Sequence, residues 1–278
     1  MGDGHGAGEF GQLLDELTSL VSQAAAAILA ARQHGLKARA KPDQSPVTAA
    51  DEAAEAVLLA GLARLMPGTP VISEEAADRA SPLGLDGGFV LVDPLDGTRE
   101  LLAGRDEFTV NVAIVRAGSP VLGIVAAPAL GLLWRGVANA GAERMRLPPG
   151  AAMSAATDRV AIRTRAQPPG GLTAAVSRSH LDGQTQALLA RLPVARRLEC
   201  GSAIKFARLA EGAADVYPRL STTCEWDVAA GHALLAAAGG TVTRPDGTPL
   251  LYGRMAERFR VPAFIAWGDP KAVAAAGP

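Results

Sequence analysis

Cysteine is scarce in this chain: Cys200 and Cys224 are the only two among 278 residues. Their spacing fits no metal-binding pattern, and two thiols exclude a disulfide framework, although a single bridge between them stays open. A reduced, cytoplasmic setting is expected. A block of basic residues is also missing. With a net charge of −1 and a pI near 6.4, the chain lacks the positive field that non-specific nucleic-acid binding needs, so nucleic acid is not expected as a partner. No hydrophobic run is long enough to span a bilayer. The richest, Ala24 to Ala31, breaks at Arg32, Gln33 and His34, and no transmembrane segment is expected. The first eleven residues are Gly-rich and acidic, without a basic or an apolar region, and residues 1–8 read as a disordered tail, not a signal peptide. Phosphate-binding G-x-x-x-x-G-K-[ST], hydrolase G-x-S-x-G and zinc-binding H-E-x-x-H patterns are all absent. His5, His34, His180 and His232 show no ligand spacing, and no internal repeat is visible.

What is present is apolar substance and acidic turns. Hydrophobic residues make up 49% and charged residues 20% of the chain, enough to bury a sizeable core in one large domain or two ordinary ones. The chain is organised around Asp93-Pro94-Leu95-Asp96-Gly97-Thr98, which follows the continuous apolar run Phe89 to Val92. Such a run predicts a strand buried on both faces. Pro94 ends the ladder and Gly97 permits a backbone conformation closed to other residues. A rigid turn carrying two carboxylates suits a hard cation such as Mg²⁺, and the Leu95 carbonyl lies between them as a third oxygen. Alone, this D-x-x-D reads first as an Asp-rich bend after a strand, and only the rest of the chain reverses that order.

Ahead of it, apolar spacing from Leu13 to Ile28 predicts a helix over about residues 9–33. Thr48 reads as the N-cap of a second helix reaching Met66, with Asp51 completing a capping box. Locally, Asp51 is first of all a capping residue. Val71-Ile72 predicts a short strand ending in Ser73-Glu74-Glu75, and a parallel neighbour would set this pair beside Asp93 and Asp96, where ligands gather. Turn signals after Thr109–Val115 and Val121–Ala126, with a strand at Trp134–Ala138, predict an antiparallel meander.

The Gly-, Pro- and Ala-rich stretch from Ala140 to about Thr157 is the expected domain boundary. It divides an N-terminal α+β metal-binding part, 9–150, from a C-terminal α/β substrate-binding part, 151–278. In the latter, strands at 174–176 and 194–198 alternate with helices at 183–192 and from Gly201-Ser202-Ala203-Ile204-Lys205, which predicts a largely parallel sheet. Tyr217-Pro218-Arg219 belongs to a strand, and Trp226-Asp227 opens a last helix ending at Gly239-Gly240. Asp246-Gly247 reads as a hairpin turn before a final strand at 264–267.

Glu74, Asp93, Asp96 and Asp227 each stand at a strand end or a helix start, positions that can converge. Converged, they would repel one another unless cations neutralise them, which implies more than one Mg²⁺. A Mg²⁺ cluster without a dedicated nucleophile points to phosphate-ester hydrolysis.

The hexapeptide at 93–98, with Ser73-Glu74-Glu75 before it and Trp226-Asp227-Val228-Ala229-Ala230-Gly231 after it, resembles the inositol monophosphatase superfamily of Mg²⁺-dependent, lithium-sensitive phosphatases. The resemblance covers residues 10 to 268 and implies an α+β fold, a layered α-β-α-β-α sandwich. Pro46-Val47-Thr48-Ala49-Ala50-Asp51, Val176-Ser177-Arg178-Ser179-His180, Gly201 to Phe206 and Tyr217 to Leu220 resemble its CysQ branch, the 3′(2′),5′-bisphosphate nucleotidases. That likeness implies metal ligation by Glu74, Asp93, Asp96, Asp227 and the Leu95 carbonyl. It places Glu74, Asp51 and Thr98 in catalysis, with Asp51 and Thr98 activating the attacking water. Glu74, Leu95, Asp96, Gly97, Thr98 and Asp227 would surround the scissile phosphate. Ser179, His180, Gly201, Ser202, Lys205 and Arg219 would contact the nucleotide. Lys205 and Arg219 suit a second phosphate; otherwise they read as a solvated helix lysine and a surface arginine. Ala203 departs from the branch, whose members commonly carry a second serine there.

The expected reaction is removal of the 3′-phosphate from adenosine 3′,5′-bisphosphate or its sulfated relative. Inositol and sugar phosphates are the alternative substrates, and a non-catalytic metal- or nucleotide-binding regulator is the alternative of another class. The resemblance also implies a monomer or homodimer, in the cytoplasm or peripheral to the cytoplasmic face of the inner membrane.

Overall fold

The structure is a computed structural model that describes residues 10–40, 46–79, 85–178 and 181–273. Two helices open it, α1 (Gly11–Gln33) and α2 (Ala49–Leu65), with the short strands β1 (Arg39–Ala40) and β2 (Pro46–Val47) between them. The strands β3 (Val71–Ser73), β4 (Phe89–Asp96), β5 (Thr109–Arg116), β6 (Ser119–Ala127), β7 (Leu132–Val137), β8 (Gly141–Arg146) and β9 (Thr157–Ile162) then form one seven-stranded sheet in sequence order. A single-turn helix, α3 (Thr98–Leu102), follows β4. The second sheet is five-stranded, in the order β11 (Val194–Cys200), β10 (Leu172–Ser177), β12 (Val216–Arg219), β16 (Phe264–Trp267) and β14 (Thr241–Thr243). Helices α4 (Gly183–Arg191), α5 (Ile204–Ala210) and α6 (Glu225–Ala237) accompany it, and β13 (Thr223–Cys224) pairs with β15 (Arg260–Val261).

Alternation along β4 and β5 explains the layering, because successive side chains point to opposite faces. Val90, Val92, Val110, Val112 and Ile114 pack with Leu17, Val21, Ile28, Leu58 and Leu62 of α1 and α2. Phe89, Leu91, Ala113 and Val115 pack with Ile204, Phe206, Ala229 and Leu234 of α5 and α6. Beyond those helices lies the second sheet, through Tyr217 and Phe264. Its far face holds Leu172, Val176, Val216 and Trp267 against Leu189 of α4. The layers therefore run α-β-α-β-α, as expected. Gly123 of β6 lets α6 lie close: a Cβ there would stand 2.2 Å from the Ala230 carbonyl oxygen.

Two expectations need correction. The stretch 140–157 is not a loose boundary. It contains β8 and the helical turn Met153–Ala155, and the first sheet continues through β9 to Ile162, past residue 150. Gly141 and Ala142 are strand residues there, and the turn that follows is pinned to α1, the Gly150 N–H donating to the Ser22 carbonyl at 2.8 Å. The second sheet is not largely parallel: β10 pairs in parallel with β11 and β12, but β16 is antiparallel to both β12 and β14. The short hairpin around Asp246-Gly247, closed by the Thr243–Pro249 bridge, returns the chain in the opposite sense. Helix α1 is long and apolar enough to cross a membrane by length and composition, yet Leu17, Val21, Ala24 and Ile28 are fully buried against α2 and the first sheet.

Candidate active site

Strands β3 and β4 run parallel, with Ser73 in register with Val92. Their carboxyl ends therefore deliver Glu74, first residue of the helical turn Glu74–Arg79, beside Asp93. Asp227 arrives from the third position of α6. There its Oδ2 accepts from the Cys224 N–H at 3.1 Å and from the Thr223 hydroxyl. Carboxylate oxygens of Glu74, Asp93 and Asp227 lie within 4.8 Å of one another. Asp96 stands outside this closest trio and lines the same cleft. Sequence position thus predicted convergence, and tertiary pairing achieves it.

Asp93 is 1% exposed. Its Oδ1 accepts the Leu95 N–H at 3.0 Å, while its buried Oδ2 has no hydrogen-bond partner. Burial, then Glu74, Asp96 and Asp227, hold this carboxyl well above the usual range. Asp96 is pushed up to about 7 by burial and by Asp227, with Lys205 and Arg219 pulling the other way. An unpartnered carboxylate oxygen among like charges is costly unless a cation satisfies it. The donors are all hard oxygens, so the site fits a divalent cation of the Mg²⁺, Ca²⁺ or Mn²⁺ kind.

Gly97 follows in the left-handed region at φ 97°. A Cβ there would lie 2.3 Å from the Ser202 Oγ and 3.3 Å from Phe108, so the turn demands glycine on both counts. The turn aims Thr98 at α2. Its hydroxyl donates to Asp51 Oδ1 at 2.9 Å and approaches the Leu95 carbonyl oxygen at 3.4 Å. Asp51 Oδ2 accepts from the Thr48 N–H at 2.8 Å and the Thr48 hydroxyl at 2.7 Å. Capping and the Thr98 contact are not rivals: one oxygen serves each.

The cleft, of about 240 Å³, is lined by Glu74, Asp93, Leu95, Asp96, Gly97, Thr98 and Asp227, and also by Ser202, Lys205 and Arg219. Lys205 is 3% exposed and is no solvated helix lysine. Its ammonium donates to the Ser202 carbonyl at 2.6 Å and lies 5.3 Å from the Tyr217 ring centre. Burial opposes the charge on Arg219, but Tyr217, Asp227 and Asp96 outweigh it and hold the guanidinium above its ordinary value. Its buried Nε has no partner.

Two expected nucleotide contacts are engaged elsewhere. The Gly201 N–H donates to Glu107 Oε2 at 2.8 Å, and Gly201 does not line the cleft. The Ser202 hydroxyl reaches the carbonyls of Asp96 at 2.8 Å and Glu107 at 3.0 Å. Both residues tie the second half to the first, because the turn before α5 lands on the loop between α3 and β5. Ser179 and His180 lie outside the described residues. Arg99, Glu100, Ser177, Phe206 and Tyr217 also line the cleft and were not anticipated. Arg99-Glu100 directly continues the 93–98 motif, and Ser177, Phe206 and Tyr217 stand inside the branch motifs at 176–180, 201–206 and 217–220, so sequence position offered a signal for all five.

The sequence profile of the inositol monophosphatase family matches residues 12–275. This chain belongs to the inositol monophosphatase family. It is 38% identical over 262 residues to the Escherichia coli K12 3′(2′),5′-bisphosphate nucleotidase CysQ, spanning 91% of this chain and 98% of that protein. Identity to the Salmonella typhimurium CysQ is 40% over 226 residues, covering 81% of this chain and 86% of the relative. Among solved structures, the CysQ of Bacteroides thetaiotaomicron superposes with a TM-score of 0.76 at 32% identity, over 93% of this chain and 98% of that one. The inositol monophosphatase of Anabaena superposes at 0.73 and 26% identity, over 96% of each chain. The chain is therefore a CysQ-type member of the family, and the layered fold is the family's fold.

Proposed function

We propose that this protein is a Mg²⁺-dependent phosphatase that removes the 3′-phosphate of adenosine 3′,5′-bisphosphate, giving AMP and phosphate, and that accepts the sulfated relative. The observation that carries the reading is one cleft lined both by an acidic trio and by two cations, the buried Lys205 and the half-buried Arg219. A monophosphate ester needs only the acidic wall and its metal. A second phosphate needs fixed positive charge at a distance from it. Residues 9–150 contribute the carboxylates Glu74, Asp93 and Asp96, and residues 151–278 the substrate cations together with Asp227. The CysQ relatives named above are 3′(2′),5′-bisphosphate nucleotidases, which supports the same substrate class.

Glu74, Asp93 and Asp227, with Asp96 and the Leu95 carbonyl, would hold Mg²⁺, which when bound supplies charge neutralisation and Lewis acidity at the phosphate. Gly97 and Thr98 offer donors to the phosphate oxygens. Thr98 orients the attacking water, and its hydrogen bond to Asp51 gives the water's proton a route to a carboxylate. The water oxygen forms the new bond to phosphorus, the P–O bond to the ribose 3′ oxygen breaks, and that oxygen takes up a proton. Lys205 and Arg219 pair with the phosphate that is not cleaved. The cytoplasm is the compartment we assign, since two unpaired thiols suit reducing conditions.

Phosphate release from adenosine 3′,5′-bisphosphate, inositol phosphate and fructose 1,6-bisphosphate, each with and without Mg²⁺, tests the proposal. Metal-dependent turnover fastest on the nucleotide supports it. A preference for the inositol or sugar ester would reassign the substrate within the family, and no turnover on any of them would make the protein a binding or regulatory member.

A further inference from the structure

Glu107 belongs to neither the acidic wall nor the cationic one, yet it touches the loops that carry both. It lies in the loop between α3 and β5, downstream of the 93–98 turn. A single oxygen, Oε2, accepts from Arg178 Nη1 at 2.5 Å and from the Gly201 N–H at 2.8 Å. Arg178, just beyond the end of β10, turns its other nitrogen to the Glu199 carbonyl at 3.3 Å, on β11. The Glu107 backbone carbonyl accepts from the Ser202 hydroxyl at 3.0 Å. This approach is tight: a Cβ on Gly201 would stand 2.5 Å from that carbonyl oxygen. Ser202 is held in the left-handed region, at φ 50°, a conformation that costs energy for a residue other than glycine and persists only where its surroundings fix it.

The consequence falls on Lys205. Its ammonium is anchored to the Ser202 carbonyl at 2.6 Å and points toward the Cys200 carbonyl at 3.5 Å. The segment 200–202 that Glu107 grips is therefore the segment that orients Lys205. The same loop is joined to the acidic wall, because the Ser202 hydroxyl also reaches the Asp96 carbonyl at 2.8 Å. We propose that Glu107 is a specificity-positioning residue: by clamping Arg178 and the Gly201–Ser202 turn, it fixes the separation between Lys205 and the carboxylate wall, and so selects substrates that carry two phosphates. This rests on the bisphosphate reading of the cleft. Glu107 touches no reacting atom and acts through Lys205. A carboxylate is suited to the task because one charged oxygen can take a guanidinium and a backbone N–H together, and such charge-assisted bonds resist loosening.

The test compares wild type with Glu107→Gln, Lys205→Ala and the double variant, on adenosine 3′,5′-bisphosphate and on a nucleoside monophosphate ester, with a thermal melt of each. Glu107→Gln keeps the size and one acceptor oxygen but removes the charge that holds Arg178. The expected result is a KM for the bisphosphate raised by roughly three- to tenfold, a fraction of what a lost charge-assisted contact costs. kcat should stay within about twofold, and KM for the monoester should be unchanged. In the Lys205→Ala background the same substitution should add less than about twofold, because the residue it positions is gone. Glu107→Asp, which retains the charge on a shorter arm, should recover part of the loss. A parallel loss on both substrates, or an undiminished effect in the Lys205→Ala background, would reduce Glu107 to a structural brace and overturn the proposal. Should Lys205→Ala itself leave the bisphosphate KM untouched, the bisphosphate reading of the cleft fails, and the role of Glu107 falls with it. If Lys205→Ala raises that KM and Glu107→Gln does not, the clamp alone is refuted.

Discussion

The Thr98 hydroxyl sits 2.9 Å from Asp51 Oδ1, across 47 residues of sequence. Asp51 can serve this contact because its other oxygen is bound by both donors of Thr48. The carboxylate is locked at the start of α2, and the hydroxyl is locked by the turn at Gly97. Two rigid supports leave the pair with no freedom to drift, which is what a water-orienting dyad requires.

Asp51→Asn should therefore lower kcat by about 10²- to 10³-fold, in the range found when a proton-transfer group is removed. The melting temperature should fall far less than for Asp51→Ala, since asparagine at this third helical position can still accept from the Thr48 N–H, whereas alanine leaves that buried donor unpaired at a cost of about 1 kcal/mol. Steady-state kinetics beside thermal melts would check this. Equal losses of stability in the two variants would contradict the division of labour between the two oxygens.

Asp93→Asn should reduce turnover by at least ~10²-fold, the scale of losing one charge-stabilising group. Without divalent metal it should be more stable than wild type, because burial and its three acidic neighbours disfavour the charge on Asp93. Added Mg²⁺ should raise the melting temperature of wild type and do so much less in the variant. A variant that is less stable than wild type in chelator would show that Asp93 is held by something other than cations.

Lys205→Ala and Arg219→Ala should each raise KM for adenosine 3′,5′-bisphosphate by about ten- to a hundredfold, the worth of one charge-assisted contact. Hydrolysis of inositol phosphate, which has no second phosphate to grip, should change little. Kinetics on both substrates decide the matter: equal damage to the two would make these residues general phosphate binders.

His232 of α6 is lowered to about 4 by burial, and its Nδ1 lies 3.0 Å from the Tyr252 hydroxyl. The folded state thus favours the neutral ring, while the unfolded chain protonates near pH 6.5. Between those values the unfolded state binds more protons, so the stability contributed by His232 is complete above pH 6.5 and is lost as pH falls towards 4. About 2 kcal/mol should disappear over that window, after allowance for the residue's partial exposure. Urea unfolding at pH 7 and pH 4 would measure it, and His232→Asn should flatten the difference. An unchanged pH slope in the variant would remove His232 as its source.

Much of this architecture follows from local pattern. The helical stripe of α1, the capping box at Thr48 and Asp51, the two-faced apolar run of β4 and the turn at Gly97 are each set by residues within a few positions of one another. Short-range sterics and hydrogen bonding act there without help. The acidic motif, read with its partners at Glu74 and Asp227, likewise carried the family and the metal chemistry. Local pattern misled where it was weakest. Alanine and glycine between 140 and 157 looked like linker, because small residues in a short strand and its turns carry no period, and the bond that pins them, from the Gly150 N–H to the Ser22 carbonyl, spans the chain. The sense of β14 and β16 escaped as well, since strand direction is set by where the chain returns and not by composition. Gly201 and Ser202 were assigned to substrate on their motif, whereas the fold gives their polar groups to Glu107 and Asp96. Which donors are already satisfied is a property of neighbours 94 to 106 residues away. The same holds for the burial that lifts Asp96 and for the orphaned oxygen of Asp93. Sequence supplied the chemical groups, while dielectric, repulsion and competition for hydrogen bonds arose only when the two sheets closed on α5 and α6.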